Sequence, residues 1–318
     1  MRARRGYNCV TLTEMNEQSV TAVLLLSCRD QKGLVASVSD FLYRNNGNII
    51  HADQHTDPST SLSEGVRSPS DRAGLEEGVF LQRVEWELTG FAVPREGVAE
   101  AFRPIAERFG MTWSLHFSDY VPRVAIFAST LPHCLYDLLA RWRMDEFRAE
   151  VPLVVSNHED LRPIAQQFGV PYHCLDVAPG TKGAQEEAIT ALLEEERIDL
   201  IVLARYMQVL GDGLVERYPN RIINIHHSFL PAFAGARPYH QAHERGVKII
   251  GATAHYVTAE LDQGPIIEQD VARVSHRDSV ADLVRKGRDL EKVVLARAVD
   301  LHLRNRVLVY GNKTVVFD

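Results

Sequence analysis

The residues with the clearest chemical potential lie between Asn224 and Asp262. Asn224 and His226 are two positions apart at the end of a predicted strand, so their side chains point to the same face, whereas the adjacent His227 is expected to point to the opposite face. Asp262 lies in an Asp-Gln-Gly turn, which can be placed against the end of a neighbouring strand. An amide, an imidazole and a carboxylate together can stabilise an oxyanion and orient or deprotonate a nucleophile. The set favours attack of water, or of an amine, on a carbonyl carbon.

Two other interpretations of these residues stay open on spacing alone. An Asn at a strand end can simply satisfy backbone groups, and Asp-x-Gly is a common turn signal. A zinc site would draw on Asp262 and on the histidines of this region, which are His226, His227, His240, His243 and His255. However, His240-Gln-Ala-His243-Glu differs from the zinc motif His-Glu-x-x-His, and its spacing is typical of a surface helix face. We therefore expect no metal and no other cofactor.

The segment that carries these residues alternates apolar strands with helices from Arg123 onward. Continuous apolar strands separated by helices predict an α/β domain with a mostly parallel, doubly wound sheet. Ligands of such sheets bind outside the carboxyl ends of the strands, where Asn224 and His226 lie. The predicted strands are 123–128, 150–156, 200–203, 222–225 and 251–257, and the predicted helices are 133–142, 161–168, 185–196 and one that holds His240 and His243.

The first part of the chain has a different predicted order of strands and helices. Two β-α-β units on one antiparallel sheet predict a ferredoxin-like domain over residues 20–118, followed by the second domain over 119–318. Apolar residues alternate only partially along the third strand, with Phe80, Gln82, Val84, Trp86 and Leu88 on one side. Residues 1–19 are predicted to be a flexible tail, and 58–78, rich in Ser, Gly and charge, an exposed loop. The predicted strands are 22–27, 48–56, 79–88 and 112–117, and the predicted helices are 34–45 and 96–109.

Composition and charge exclude several classes of protein. Lys and Arg number 35 against 42 Asp and Glu, a net charge of −7, which disfavours a nucleic-acid partner. No apolar run approaches the ~20 residues that a membrane helix needs. The four cysteines are scattered, without a Cys-x-x-Cys pair, as expected in a reducing compartment. We therefore expect a cytoplasmic protein with a small-molecule substrate.

Three motifs carry a resemblance to a known family. Asn224-Ile-His-His-Ser-Phe-Leu-Pro, Gly251-Ala-Thr-Ala-His-Tyr-Val and Leu261-Asp-Gln-Gly-Pro-Ile-Ile resemble the catalytic domain of folate-dependent formyltransferases. The continuation Gly235-Ala-Arg-Pro-Tyr-His-Gln-Ala is similar to the formyltetrahydrofolate deformylases within that group. In that family an ACT domain precedes the catalytic domain, and Arg29-Asp-Gln-Lys-Gly after the first strand resembles it. The resemblance covers nearly the whole chain, apart from 58–78.

This resemblance implies a reaction and a set of residue roles. The reaction is hydrolysis of 10-formyltetrahydrofolate to tetrahydrofolate and formate, which supplies formate for purine synthesis and balances the one-carbon folate pool. Asn224, His226 and Asp262 match the family's catalytic residues. The family further implies folate contacts at Met207, Gln208, Val209, Leu210 and His255, although Gln208 stands where many relatives have Arg. An amino-acid effector is implied at the turn with Arg29, Asp30 and Gly33, in a homo-oligomer.

The resemblance covers transferases as well as hydrolases, so the acceptor must be argued from the residues. A transferase acting on a phosphorylated amine needs an anion cradle, usually a glycine-rich strand-to-helix turn. The turn after strand 123–128 reads Ser129-Thr-Leu-Pro-His-Cys-Leu-Tyr and contains no glycine. This favours water as the acceptor, with formyl transfer to an amine as the alternative. A third possibility, a binding module without catalysis, is disfavoured by the complete Asn, His and Asp set.

Overall fold

The computed structural model describes residues 19–58, 78–175, 182–231 and 238–317. The predicted N-terminal tail and the predicted 58–78 loop therefore lie outside the described residues, apart from their end positions. The chain forms an antiparallel sheet of four strands, a mostly parallel sheet of seven strands and a C-terminal hairpin. This architecture confirms the predicted fold class, whereas the exact domain limits at 20, 118 and 119 stay predictions.

The N-terminal sheet has the strand order β2-β3-β1-β4, and all of its pairs are antiparallel. One face packs against two helices through alternate residues such as Leu24, Leu26, Val84 and Trp86. The second helix is shorter than predicted, because the chain forms a single 3-10 turn, Arg95–Gly97, before it. The elements are β1 (Thr21–Arg29), α1 (Leu34–Arg44), β2 (Asn48–Asp57), β3 (Val79–Glu87), α2 (Val98–Phe109) and β4 (Thr112–Phe117).

The opposite face of this sheet is covered by the C-terminal hairpin, β12 (Val307–Tyr310) and β13 (Lys313–Val316). Leu25 and Leu81 of the sheet pack there against Leu308 and Phe317. This contact explains why residues on both faces of β3 are buried, although the sequence predicts one apolar side. Arg83, on the covered face, donates from Nε to the carbonyl oxygen of Asn305.

The second sheet has the order β11-β10-β9-β8-β5-β6-β7. Strands β5 to β9 pair in parallel, and β10 and β11 are added in antiparallel fashion. The strands are β5 (Arg123–Ala128), β6 (Glu150–Ser156), β7 (Tyr172–Cys174), β8 (Leu200–Leu203), β9 (Ile222–His226), β10 (Ile249–Tyr256) and β11 (Ile266–Arg273). The sheet is therefore mostly parallel, as predicted, but it includes β7 and β11, which the sequence patterns did not reveal.

Helices cover both faces of the second sheet and bury its apolar strands. Three of them, α3, α4 and α8, contribute to one core cluster, and two, α5 and α6, contribute to another. The helices are α3 (His133–Arg143), α4 (Arg162–Phe168), α5 (Lys182–Glu195), α6 (Asp212–Arg217), α7 (Pro238–Glu244) and α8 (Val280–Leu303). Within the described ranges, no helix combines the length and apolar character that a membrane span requires.

Candidate active site

The site begins at the carboxyl end of β9, where Asn224 and His226 lie. The neighbouring strand β10 pairs with β9 so that His255 stands opposite Asn224. This register brings Nδ2 of Asn224 to 3.3 Å from Nε2 of His255. The Nδ1 of His255 lies 2.9 Å from the carbonyl oxygen of Tyr256, which fixes the orientation of the ring. Strand pairing alone therefore places the side chains of Asn224, His226 and His255 side by side.

Asp262 reaches this group from the turn that follows β10. It has a left-handed backbone conformation, with φ of 56°, and its Oδ2 lies 3.3 Å from Nδ1 of His226. Its other oxygen, Oδ1, lies 3.6 Å from Nε2 of His255. Gly264 allows the turn to approach β10 this closely, because a Cβ there would lie 1.8 Å from the carbonyl oxygen of Tyr256. The structure thus brings together the three residues predicted from sequence and adds His255.

The carboxylate of Asp262 is paired with two histidines, whereas one nitrogen of His226 has no partner in the described part of the chain. Hydrogen bonding to His226 and then His255 lowers the pKa of Asp262, and this effect exceeds the opposite effect of burial. The carboxylate is therefore ionised at neutral pH and holds Nδ1 of His226. Among the described residues, the buried Nε2 of His226 has no hydrogen-bond partner. His226 is therefore oriented by Asp262 and presents its second nitrogen to a substrate.

A cavity of about 840 Å³ opens in front of this group. Its wall includes Asn224, His226 and Asp262, together with all the residues for which folate contacts are predicted: Met207, Gln208, Val209, Leu210 and His255. The 207–210 segment is a loop after β8, and the backbone nitrogen of Met207 donates to Oγ of Ser129 at 2.9 Å. The side chains of Met207 and Val209 are exposed, which leaves apolar surface for a flat ring. The folate contacts themselves stay predictions.

A second polar group was not found from sequence; four of its five members, all except His133, line the same cavity. We call it the polar wall; its members are His133, Arg205, His227, Tyr239 and Glu291. The carboxylate of Glu291 accepts hydrogen bonds from Tyr239 Oη and from Nε2 of His133, both at 2.7 Å. Nε of Arg205 lies 3.5 Å from the same carboxylate, and its NH1 contacts Nδ1 of His227.

One signal in the sequence could have revealed the polar wall. Glu291 lies on the buried stripe of α8 between Gly287 and Leu295. A carboxylate on an apolar helix stripe is rarely buried without partners. Burial raises the pKa of Glu291, but the hydrogen bond from His133, the charge of Arg205 and the hydrogen bond from Tyr239 lower it further than burial raises it. The residue is therefore a buried, paired anion.

The predicted direction of His227 is wrong. Alternation along a strand predicts that His227 faces away from His226, but both rings line the cavity and stack at a centroid distance of 5.0 Å. The reason is that β9 ends at His226, so the next residue no longer follows strand alternation. Burial, then the charges of Arg205 and His226, lower the pKa of His227 to about 4, so its ring is neutral at pH 7.

The histidines considered as zinc ligands do not converge as one set. His240 and His243 lie exposed on α7, in keeping with the surface alternative. Among the described residues, the one cluster with metal-ligand geometry is His133, Cys134 and Glu291. Burial, and then the neighbouring Glu291, raise the pKa of the Cys134 thiol, so it stays protonated. Since Glu291 is also occupied by two hydrogen bonds, the donor set fits a metal poorly.

The residues predicted to bind an effector lie in the N-terminal domain, between β1 and α1. Arg29 ends β1, the backbone nitrogen of Asp30 donates to the carbonyl oxygen of Gly78 at 2.7 Å, and Gly33 precedes α1. A small cavity of about 100 Å³ lies nearby between α1, β2 and β3, but none of these three residues lines it. Effector binding at this turn stays a prediction.

Comparison with known proteins defines the class first. Residues 122–299 match the family model described as Formyl transferase, and residues 22–70 match the model of the ACT domain. The structure also resembles glycinamide ribonucleotide transformylase 1 from Symbiobacterium toebii, with a TM-score of 0.61 and 32% identity. That match covers 64% of this chain and 98% of the other. The larger domain is thus a catalytic domain of the formyltransferase type.

Two further comparisons narrow the class. A formyltetrahydrofolate deformylase from Synechocystis sp. is 58% identical over 94% of this chain and 99% of its own length. The crystal structure of a formyltetrahydrofolate deformylase from Pseudomonas syringae pv. tomato superimposes with a TM-score of 0.87 at 47% identity, covering 96% of each chain. The chain belongs to the formyltetrahydrofolate deformylase family, in which both of its domains are matched.

Proposed function

We propose that the chain hydrolyses 10-formyltetrahydrofolate to tetrahydrofolate and formate. The observation that carries this proposal is the arrangement of His226, held at Nδ1 by the ionised Asp262 and open at Nε2 towards the large cavity. Similarity to deformylases along nearly the whole chain supports the same substrate. The physiological role that follows is supply of formate for purine synthesis and balance of the one-carbon folate pool.

The roles of the individual groups follow from where charge develops. Water attacks the formyl carbon, and negative charge appears on the formyl oxygen. Asn224 Nδ2 and protonated Nε2 of His226 are the donors assigned to that oxygen. Asp262 orients His226 through Nδ1 and orients or deprotonates the water. N10 must gain a proton before it leaves, and His226 is the assigned carrier.

The test of this function measures both products. Purified protein is mixed with 10-formyltetrahydrofolate, and tetrahydrofolate is followed by ultraviolet absorbance while formate is quantified separately. Equal amounts of the two products, without an added amine, are expected. Glycinamide ribonucleotide added to the same reaction should remain unformylated. Formyl transfer to that amine, in place of formate release, would favour the transferase alternative and contradict hydrolysis.

Regulation and assembly are proposed for the N-terminal domain. The match to the ACT domain supports an amino-acid effector. Strand β2 is an edge strand, and apolar side chains on it and on α1 are exposed: Val35, Tyr43, Ile49 and Ile50. We propose that a second copy of the chain covers this surface in a homo-oligomer. A cytoplasmic location is retained as a prediction from the sequence.

Two measurements test these proposals. If glycine, methionine and other amino acids change neither the rate nor the melting temperature, the effector proposal fails. Light scattering after size exclusion should give an oligomer for the natural chain and a smaller species for Ile50→Asp. A natural chain that is monomeric at micromolar concentration would contradict the proposed assembly.

A further inference from the structure

The polar wall has no role in hydrolysis as described above, yet it adjoins the reacting position. His226 lies between two groups: Asp262 on its Nδ1 side, and the ring of His227 stacked against it. Arg205, His227, Tyr239 and Glu291 line the cavity that holds Asn224 and His226. These side chains therefore decide how much space exists beside His226 for an attacking molecule.

The polar wall is held in place around the fully paired carboxylate of Glu291. Each carboxylate oxygen of Glu291 accepts a hydrogen bond, one from Tyr239 and one from His133, while Arg205 balances its charge. Glu291 is 1% exposed. A buried carboxylate with this many partners cannot move aside without leaving a charge unpaired, so the wall resists rearrangement around an incoming ligand.

The polar wall also packs against helix α8. A Cβ at Gly287 would lie 2.0 Å from Oη of Tyr239, so the Tyr239 ring packs directly on the backbone of α8. At the other end, His133 begins α3 and points its Nε2 at Glu291. The turn after β5, where a transferase would need an anion cradle, is therefore connected to the polar wall through the hydrogen bond of His133 to Glu291.

Arg205 is the member of the polar wall with the most unusual backbone conformation. It follows β8 with a left-handed φ of 65°, a conformation that L-residues other than glycine seldom adopt. Backbone strain of this kind persists where the surrounding structure requires a particular side chain. Arg205 turns its guanidinium between Glu291 and His227, two residues of the cavity wall.

We propose that the polar wall restricts the attacking group to water, because the His227 ring stacks beside His226, where an amine acceptor would need space, and is held there by contacts with Arg205 and Tyr239. This specificity rests on the proposed hydrolysis. Either nucleophile forms a bond to the formyl carbon and breaks the bond from that carbon to N10. Water or amine loses one proton and N10 gains one. The two reactions therefore consume the same formyl donor, 10-formyltetrahydrofolate, and differ only in the attacking atom. On this proposal, water reaches the formyl carbon beside the His227 ring, whereas an amine on a carbon chain is held away from it.

The test is the partition of the formyl group between water and an amine. Arg205→Gly removes the guanidinium and places glycine at a backbone conformation that it adopts readily. Each protein is given 10-formyltetrahydrofolate and a high concentration of glycinamide, and formate and formylglycinamide are measured by mass spectrometry. For Arg205→Gly the ratio of formylglycinamide to formate should rise about 10-fold or more over the natural enzyme, the range that steric discrimination by a pocket provides.

A matched control is Arg197→Gly, the same substitution at another residue of positive φ, 49°, exposed at the end of α5. Its partition ratio should equal that of the natural enzyme. An unchanged ratio in Arg205→Gly, with tetrahydrofolate still formed, would overturn the proposal. If that variant does not fold, the natural enzyme decides alone: hydroxylamine should compete with water better than glycinamide does, and equal competition contradicts the wall. Formate release without amine is scored separately, so a failure of hydrolysis itself is recognised.

Discussion

Two polar groups meet at His226 and differ in how their hydrogen bonds are used. The group around Asp262 leaves Nε2 of His226 without a partner among the described residues, whereas the polar wall occupies both oxygens of Glu291. Asp262 sits on a turn and is partly exposed, and Glu291 is buried within a helix. We call Asn224, His226, His255 and Asp262 the open group: its nitrogen that is unpaired among the described residues faces the cavity and can act on a substrate, while the fully paired carboxylate of Glu291 shapes the space beside it. Similar residue types therefore serve different purposes according to what remains unbonded.

The largest effect is expected from Asp262→Asn, which keeps the shape of the open group and removes its charge. His226 then loses the carboxylate that holds its Nδ1, the water loses its assigned base, and turnover should fall about 1000-fold or more, within the range of general acid–base catalysis. Folate binding, measured separately by fluorescence, should be nearly unchanged. Asp270→Asn, a surface residue of β11, is the matched control and should keep full turnover. Near-normal turnover in Asp262→Asn would contradict the assigned chemistry.

Next in size is the loss expected from Asn224→Ala. Removing one oxyanion donor costs about 100- to 1000-fold in turnover. His227→Ala should be at least about 10-fold milder, since the polar wall shapes the cavity and does not contact the reacting oxygen. Steady-state kinetics on the two variants side by side checks the ranking. Equal damage from both substitutions would place His227 in the open group and remove the distinction between the two groups.

The pKa of His227 predicts an acid-sensitive contribution to stability. The ring is neutral in the folded chain, with a pKa of about 4 against an ordinary 6.5, so the unfolded chain binds the extra proton between these values. The contribution is present above pH 6.5 and is lost as the pH falls towards 4. Between pH 7 and pH 5 it should reduce the free energy of unfolding by about 2 kcal/mol.

Urea titrations at several pH values test this, with His227→Gln as the comparison. That variant cannot take up the proton, so its free energy of unfolding should fall by less than that of the natural chain. Parallel pH dependences for the two proteins would show that His227 is not held neutral by Arg205 and burial.

A smaller effect is expected where the C-terminal hairpin supports the open group. Nδ2 of Asn312 donates to the carbonyl oxygen of Gln263, next to Asp262, at 2.9 Å. Asn312→Ala removes one exposed hydrogen bond of ~1 kcal/mol, and turnover should fall about fivefold at most. Lys313→Ala, which removes an exposed ion pair of the hairpin with Asp57 and leaves the bond from Tyr310 to Asp57, is the control and should leave turnover unaltered. Equal losses in both variants would show that the hairpin acts through general stability.

No effect is expected from removal of metal ions. The cluster of His133, Cys134 and Glu291 is explained by hydrogen bonds, and the open group relies on a carboxylate and an imidazole. Dialysis against a chelator should therefore leave the rate intact. A loss of activity that zinc restores would contradict both assignments.

The sequence pointed to residues of the open group that lie together in the structure, because they occupy motif positions on strand ends and turns. It also predicted both sheets, since period-two and continuous apolar strands are strong local signals. Strand β11 and the hairpin were not predicted, because Glu268, Gln269 and Asp270 interrupt the apolar pattern of β11 and each hairpin strand has only four residues. Helix α8 was not predicted either. The polar wall depends on contacts between β8, α3, α7 and α8, and no local pattern specifies which distant helix faces Arg205. The direction of His227 failed because alternation ends where the strand does.

The central claim is that His226 and Asp262 direct water, and water only, to the formyl carbon. A single turnover of the natural enzyme in water enriched with oxygen-18 tests it most directly. The account predicts that the formate carries one oxygen atom from water and that its amount equals the tetrahydrofolate formed. Formate without the heavy isotope, or tetrahydrofolate formed without an equal amount of formate, would contradict it.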